Sequence, residues 1–165
     1  MKNNIALIGM PAVGKSTVGV VLAKNLGFDF LDTDILIQSR ENKTLADIIE
    51  AKGLDGFLDI EGRHVASVDC SHHVIATGGS VVYREAAMAH LAKISRIVYL
   101  SIELDTLMTR LSDITSRGVA IGPGKGMEDL YKERTPLYDR YCDIKIDCGD
   151  LGPDRVMAAV LKQLS

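Results

Sequence analysis

The sequence predicts an α/β fold in which helices cover both faces of a parallel sheet, giving three layers. The short apolar runs IALI (5–8) and VIAT (74–77) have the length and composition of buried strands. Longer segments with apolar residues at helical spacing, such as 15–26 and 104–111, separate the runs. Strands that alternate with helices are joined by crossovers, which make neighbouring strands parallel.

The individual elements follow from the same patterns. Five strands are predicted at residues 5–8, 28–32, 74–77, 97–100 and 144–147. The helices are predicted at residues 15–26, 45–52, 55–68, 85–93, 104–111, 127–141 and 154–164. Thr44 is expected to cap the second helix, and Gly27 and Gly53 to end the first and second. Residues 116–126 lack periodicity and are predicted to form a mobile loop.

Composition narrows the possible classes of protein. The 165 residues suit one domain spanning 1–165, with 47% hydrophobic and 25% charged residues. A net charge of −3 provides no positive field for nucleic acid, and no apolar run approaches a membrane span. The first strand begins too early for a signal peptide, and the three cysteines have no C-x-x-C spacing. We therefore expect a cytoplasmic protein with free thiols.

Residues 9–16, GMPAVGKS, match the phosphate-loop pattern G-x-x-x-x-G-K-[ST] between a strand and a helix. Backbone N–H groups of such a loop wrap a phosphate chain at the positive end of the helix. The residues expected to contact the nucleotide are Ala12, Val13, Gly14, Lys15, Ser16 and Thr17. Lys15 is expected to reach the β- and γ-phosphates and Ser16 to bind Mg²⁺. The loop therefore predicts a nucleoside triphosphate site.

Two carboxylates, Asp32 and Asp34, follow the second strand. If the strand continued, their side chains would point the same way. One would then hold the water around Mg²⁺, and the other would accept a hydrogen bond from a substrate hydroxyl. The alternative is that one of them only caps the next helix.

The pair Gly78-Gly79 follows the third strand, where it either lets a substrate lie against the backbone or forms only a tight turn. Ligands of parallel sheets bind beyond the carboxyl ends of the strands, so this pair, the phosphate loop and the two aspartates should converge. Arg110 and Arg117 flank the entry to the predicted loop. An arginine there either neutralises the charge of a transferred phosphoryl group or is only a solvated surface charge. Arg134 is either a carboxylate-binding residue or part of a helix-surface salt bridge.

Taken in order, these motifs resemble those of the shikimate kinases. The resemblance is carried by GMPAVGKST, Asp32-Thr33-Asp34, Phe57 with Glu61, ATGG (76–79), Arg110 with Arg117, and RTPLY (134–138). It implies a phosphate-loop NTPase fold with strand order 2-3-1-4-5, a substrate-binding subdomain at about 33–61, a lid at about 112–126 and a monomer. It also implies transfer of the γ-phosphoryl group of Mg·ATP to the 3-hydroxyl of shikimate, in aromatic amino acid biosynthesis.

The resemblance also implies roles for individual residues on the nucleotide side. Lys15 and Ser16 match the phosphate and magnesium residues, and Asp32 matches a residue that holds the water around magnesium. Arg110 matches a nucleotide-binding arginine, and Arg117 matches the catalytic arginine of the lid.

On the acceptor side, Asp34 matches the carboxylate that binds and activates the substrate hydroxyl. Gly79 matches a backbone contact to substrate, and Gly78 and Phe57 are expected beside it. Arg134 matches one arginine that grips the substrate carboxylate.

The departures from the family pattern concern the acceptor. Leu58 stands where the family has a second carboxylate-binding arginine, and Asp59 follows it. Arg63 and Arg84 are the candidates to compensate. The third glycine of the usual turn is Ser80, and the lid proline is replaced by Gly118.

Because of Leu58, a kinase of another small metabolite is the alternative, with gluconate, homoserine or a nucleotide as acceptor. A nucleotide-dependent switch is a third hypothesis, but the sequence has no N-K-x-D motif.

Overall fold

The chain folds into three layers, with helices on both faces of a five-stranded parallel sheet, in a computed structural model that describes residues 2–112 and 124–164. The strands are β1 (Asn4–Ile8), β2 (Asp29–Asp32), β3 (His73–Ala76), β4 (Ser95–Ser101) and β5 (Ile144–Asp147). They are arranged in the order β2-β3-β1-β4-β5, which confirms the predicted topology. Arg117 and residues 113–123 of the predicted lid lie outside the described residues.

Seven helices are described, together with a 3₁₀ turn at Val81–Tyr83. They are α1 (Lys15–Leu26), α2 (Thr33–Glu41), α3 (Leu45–Ala66), α4 (Glu85–Ile94), α5 (Leu104–Ser112), α6 (Met127–Tyr141) and α7 (Pro153–Leu164). Helix α1 packs against α7, and α3 packs against α4. No helix in the described part of the chain is long and apolar enough to cross a membrane.

The main core surrounds the central strand β1, in which every residue is buried. Along β1, Ile5 lies beside Val74 of β3 and Arg96 of β4. A smaller apolar cluster joins α2 to α3 and consists of Ile37, Ile48, Phe57, Leu58 and Ile60. The carboxyl ends of β1, β2 and β3 lie at the edge of the sheet where the phosphate loop begins.

Helix boundaries agree with the sequence except around α2. Thr44 caps α3 through a reciprocal pair of hydrogen bonds with Asp47. The predicted break at Gly53 is confirmed, because its φ of 72° and ψ of 174° interrupt α3. Helix α2 was not predicted, and it begins directly after its N-cap, Asp32. Gly27 ends α1 in the left-handed conformation, as expected.

Candidate active site

The phosphate loop connects β1 to α1 and depends on two glycines. Gly9 has a φ of 145°, and a Cβ atom there would lie 2.5 Å from the carbonyl oxygen of Leu100. Gly14 has a φ of 101° and caps α1. Ala12 also has a positive φ, 64°, which strains a residue that carries a Cβ atom. The loop therefore has glycine at residue 9, where β4 leaves no room for a side chain.

Lys15 lies beneath this loop. Its Nζ donates hydrogen bonds to the carbonyl oxygens of Gly9 and Met10, both at 2.8 Å. Burial lowers the pKa of Lys15 to about 8, although the nearby Asp34 carboxylate acts in the opposite direction. The structure thus places a partly desolvated ammonium group at the loop that is expected to receive phosphate.

Ser16 and Asp32 form the candidate metal site. The Ser16 Oγ donates to Asp32 Oδ2 at 2.7 Å. The other carboxylate oxygen, Oδ1, accepts the N–H groups of Asp34 at 2.9 Å and Ile35 at 3.3 Å. Asp32 therefore caps α2, as the alternative interpretation expected, and its second oxygen faces Ser16 of the phosphate loop. Its role at the water around Mg²⁺ stays a prediction.

The chemistry of this pair fits Mg²⁺, because hydroxyl and carboxylate oxygens are ligands that this cation prefers. Within residues 2–112 and 124–164, no group of three or more His, Cys, Asp or Glu side chains is arranged to hold a metal. Further ligands would have to be water or phosphate oxygens, which is the usual arrangement for magnesium at nucleotide sites.

Asp34 lies in the first turn of α2, where its carboxylate lines the cavity beside the phosphate loop. Burial, and then the neighbouring charge of Asp32, raise the pKa of Asp34. The strand does not continue to this residue, because the chain turns into α2 at Thr33. The relation between the two carboxylates is therefore set by a helix cap rather than by strand geometry.

Gly78 and Gly79 form the turn after β3. A Cβ atom on Gly78 would lie 2.5 Å from Glu61 Oε1 and 2.9 Å from Asp34 Oδ1. A Cβ atom on Gly79 would lie 2.9 Å from Arg134 Nη1. The turn itself is fixed by the Tyr138 hydroxyl, which donates to the Gly79 carbonyl at 2.6 Å. A side chain at either glycine would therefore displace a charged group that lies against the turn.

Glu61 is a buried carboxylate whose role the sequence motifs did not predict. Its Oε2 accepts the Ser80 hydroxyl at 2.7 Å, and its Oε1 has no hydrogen-bond partner among the described residues. Burial raises the pKa of Glu61 to about 7. The sequence held one signal for this residue. Glu61 follows Phe57 by four residues on a predicted helix, so both side chains were expected on the same face.

Arg134 is buried on α6, with 1% of its surface exposed, and it lines the same cavity. The interpretation as a helix-surface salt bridge is therefore wrong. Its Nε donates to the Tyr83 hydroxyl at 3.2 Å, and the guanidinium lies over the Tyr83 ring at 5.2 Å. A buried guanidinium beside a cavity is suited to binding an anion.

The other arginines have different surroundings. Arg110 donates to the carbonyl oxygens of Val13 at 3.3 Å and Gly149 at 2.8 Å, so it supports the phosphate loop. Arg84 is paired with Asp59 at 2.8 Å and with Asp55 at 2.6 Å. The Asp59 carboxylate therefore forms its ion pair with Arg84.

The remaining candidate, Arg63, is exposed and lies 3.8 Å from Glu41. Leu58 is buried in the small apolar cluster. Neither Arg63 nor Arg84 is therefore placed to replace an arginine at residue 58.

The site as a whole is a cavity of about 160 Å³ between the phosphate loop, α2, α3, the turn after β3 and α6. The predicted residues that line it are Ala12, Gly14, Lys15, Ser16, Thr17, Asp34, Phe57, Gly78, Gly79 and Arg134. Five further lining residues were not predicted, namely Pro11, Leu45, Ile49, Thr77 and Ser80. Val13, Asp32 and Arg110 lie around the loop and do not line the cavity.

This fold and this site define a phosphate-loop phosphotransferase with a cavity beside the phosphate loop. The family model for shikimate kinase matches residues 11–165. The shikimate kinase of Thermobifida fusca is 36% identical over 160 residues, covering 96% of this chain and 92% of that protein. The chain therefore belongs to the shikimate kinase family.

Solved structures agree with this membership. Shikimate kinase from Acinetobacter baumannii in complex with shikimate has a TM-score of 0.88 and 28% identity, covering 98% of this chain and 92% of that one. The enzyme from Aquifex aeolicus has a TM-score of 0.81 and 29% identity, covering 98% and 95%. Both similarities extend over nearly the whole chain.

Proposed function

We propose that this enzyme transfers the γ-phosphoryl group of ATP to the 3-hydroxyl of shikimate, giving shikimate 3-phosphate. The observation that carries the proposal is one cavity with Lys15 at its phosphate end and Asp34 and Arg134 on its acceptor side. Family membership supplies the acceptor, because the relatives are named shikimate kinases and one was solved with shikimate.

On the nucleotide side, Lys15 supplies positive charge to the β- and γ-phosphates, and Arg110 holds the loop from behind. Ser16 and Asp32 would hold Mg²⁺, which neutralises phosphate charge when bound. Arg117 is proposed as the further cation that neutralises the transferred group. The amides of the phosphate loop orient the triphosphate toward the acceptor.

On the acceptor side, the Asp34 carboxylate receives the proton of the attacking hydroxyl. As the hydroxyl oxygen bonds to the γ-phosphorus, the bond from phosphorus to the β,γ-bridging oxygen breaks, and ADP leaves with those electrons. A raised pKa suits Asp34 to accepting this proton. Arg134 binds the carboxylate of shikimate, and Phe57 and the Gly78-Gly79 turn pack against the rest of the molecule.

The proposed organisation is one kinase domain with two specialised segments. Residues 33–61, which include α2 and most of α3 with their own apolar cluster, form the acceptor subdomain. Residues 112–126 form the lid. We further propose a monomer that works in the cytoplasm on small molecules, where its three free thiols stay reduced.

A coupled assay of ADP release tests the proposal. We expect turnover with shikimate and none with gluconate, homoserine or nucleoside monophosphates at equal concentration. Turnover with one of those and none with shikimate would establish the alternative acceptor. Slow hydrolysis that no acceptor accelerates would instead indicate a switch.

A further inference from the structure

Tyr83 connects the candidate carboxylate-binding arginine to a pair of charges outside the cavity. Its hydroxyl accepts a hydrogen bond from Arg134 Nε at 3.2 Å and donates one to Glu133 Oε1 at 2.6 Å. The second oxygen of Glu133 accepts Lys125 Nζ at 2.6 Å. One phenol therefore stands between a guanidinium that lines the cavity and a carboxylate that does not.

The contacts of Tyr83 restrict the Arg134 side chain in two ways. The Arg134 Cζ atom lies over the Tyr83 ring, 5.2 Å from the ring centre, and the Tyr83 hydroxyl accepts a hydrogen bond from Nε. A long arginine side chain otherwise loses considerable rotamer entropy when it binds an anion. The Nη1 atom of the same guanidinium lies beside the Gly79 turn, and both residues line the cavity.

The arrangement also separates opposite charges. Glu133 and Arg134 are neighbours in sequence, and the pKa of Glu133 is lowered mainly by its hydrogen bonds with Lys125 and Tyr83. These two partners occupy both carboxylate oxygens, so the charge of Glu133 is compensated away from the cavity. Glu133 therefore makes these hydrogen bonds outside the cavity that Arg134 lines.

The position of Leu58 makes this support more important. A second cavity of about 150 Å³ lies behind Arg134, and its wall includes Leu58, Tyr83, Lys125 and Glu133. Leu58 contributes only an apolar surface there, so it gives the guanidinium no hydrogen bond. The Tyr83 hydroxyl, on the same wall, does make such a hydrogen bond: it accepts from Arg134 and donates to Glu133.

We propose that Tyr83 is a positioning residue that orients the Arg134 guanidinium for the carboxylate of the acceptor. The inference rests on the proposed function, because it requires Arg134 to bind that carboxylate. It predicts that Tyr83 determines the affinity for acceptor and leaves both the affinity for ATP and the rate of phosphoryl transfer nearly unchanged.

The Tyr83→Phe variant tests this, because it keeps the ring and removes only the hydroxyl. We expect the KM for shikimate to rise about tenfold, as for loss of a hydrogen bond to a charged group, with kcat and the KM for ATP within about twofold. The matched control is Tyr131→Phe, which removes a phenol that donates to the Ile102 carbonyl at 2.8 Å. That control should leave all three values unchanged.

An uncharged analogue separates the possible failures. With shikimate amide in place of shikimate, the wild type and Tyr83→Phe should have the same KM, because no carboxylate is present to orient. If Arg134→Lys also leaves the KM for shikimate unchanged, the role proposed for Arg134 fails, and the inference fails with it. If Arg134→Lys raises that KM and Tyr83→Phe does not, the inference alone is overturned. Calorimetric titration with shikimate gives the same comparison for any variant that turns over too slowly.

Discussion

The Asp34 Oδ1 atom lies 2.9 Å from the point that a Cβ atom on Gly78 would occupy. The same Cβ atom would lie 2.5 Å from Glu61 Oε1. Neither contact can be relieved without moving a carboxylate, since real Cβ atoms do not approach an oxygen so closely. Glycine at this position therefore lets the carboxylates of Asp34 and Glu61 lie against the backbone of the turn after β3.

Gly78→Ala should accordingly lower kcat by about a hundredfold, because a displacement of about 1 Å in a catalytic carboxylate costs that order of rate. Steady-state kinetics with both substrates will measure it. Gly152→Ala is the control, since nothing lies within 4 Å of a Cβ atom there. A Gly78→Ala enzyme with normal kcat would mean that Asp34 does not have to stay in place.

The second prediction concerns the charge of Lys15. Its pKa of about 8 means that the free enzyme loses this positive charge as the pH rises through 8. The affinity for ATP should then weaken above pH 8. The loss should approach about tenfold for each further pH unit, because one bound proton is required. Calorimetric titrations between pH 7 and 9.5 will measure the change.

Lys15→Ala provides the comparison, because a variant without the ammonium group should bind ATP weakly and with no such pH dependence. Its kcat should fall at least about a hundredfold. A near-normal kcat would refute the role of Lys15 at the phosphates.

The third prediction concerns the stability of the fold and the burial of Glu61. Its pKa rises from 4.5 in the unfolded chain to about 7, so the folded protein binds more protons between these values. The free energy of unfolding should fall across that interval as the pH rises, by about 3 kcal/mol from this residue alone.

Glu61→Gln should remove that decrease, and urea unfolding at pH 4.5, 6 and 7.5 will measure the difference. Ser80→Ala is informative beside it, because the Ser80 hydroxyl stabilises the ionised carboxylate. Without that hydroxyl the pKa of Glu61 should rise further, so the free energy of unfolding should continue to fall up to a higher pH. Equal pH profiles for wild type and Glu61→Gln would show that Glu61 ionises without penalty.

The fourth prediction addresses Leu58. Leu58→Arg should lower the KM for shikimate about tenfold, because it adds a charge-assisted contact beside Arg134. Leu54→Arg is the control, since Leu54 lines the same second cavity one helical turn earlier. An unchanged or higher KM for Leu58→Arg would indicate that the pocket is shaped for a different anion arrangement.

The parts of the structure that depend on local sequence could be predicted. The phosphate loop is recognisable because its glycines, Lys15 and Ser16 are contiguous and lie between a strand and a helix. The break at Gly53 was likewise predictable, because only glycine readily adopts its backbone angles. The strand order agreed with the family resemblance and required no contact information.

What the sequence did not reveal depends on contacts between distant elements. Arg134 has the residue type of a surface position, but it is buried on α6, where it packs against the ring of the distant Tyr83. Helix α2 was missed because its N-cap, Asp32, was interpreted mainly as a site residue. Glu61 and Ser80 are 19 residues apart, so their hydrogen bond has no local signature.

The hydrogen bond from the Asp34 amide to Asp32 Oδ1, at 2.9 Å, has a consequence for the two halves of the reaction. The residue proposed to face the metal and the residue proposed to face the alcohol are separated by two peptide bonds and tied by that contact. The spacing of these two residues is therefore set by one short stretch of backbone, the N-terminal cap of α2.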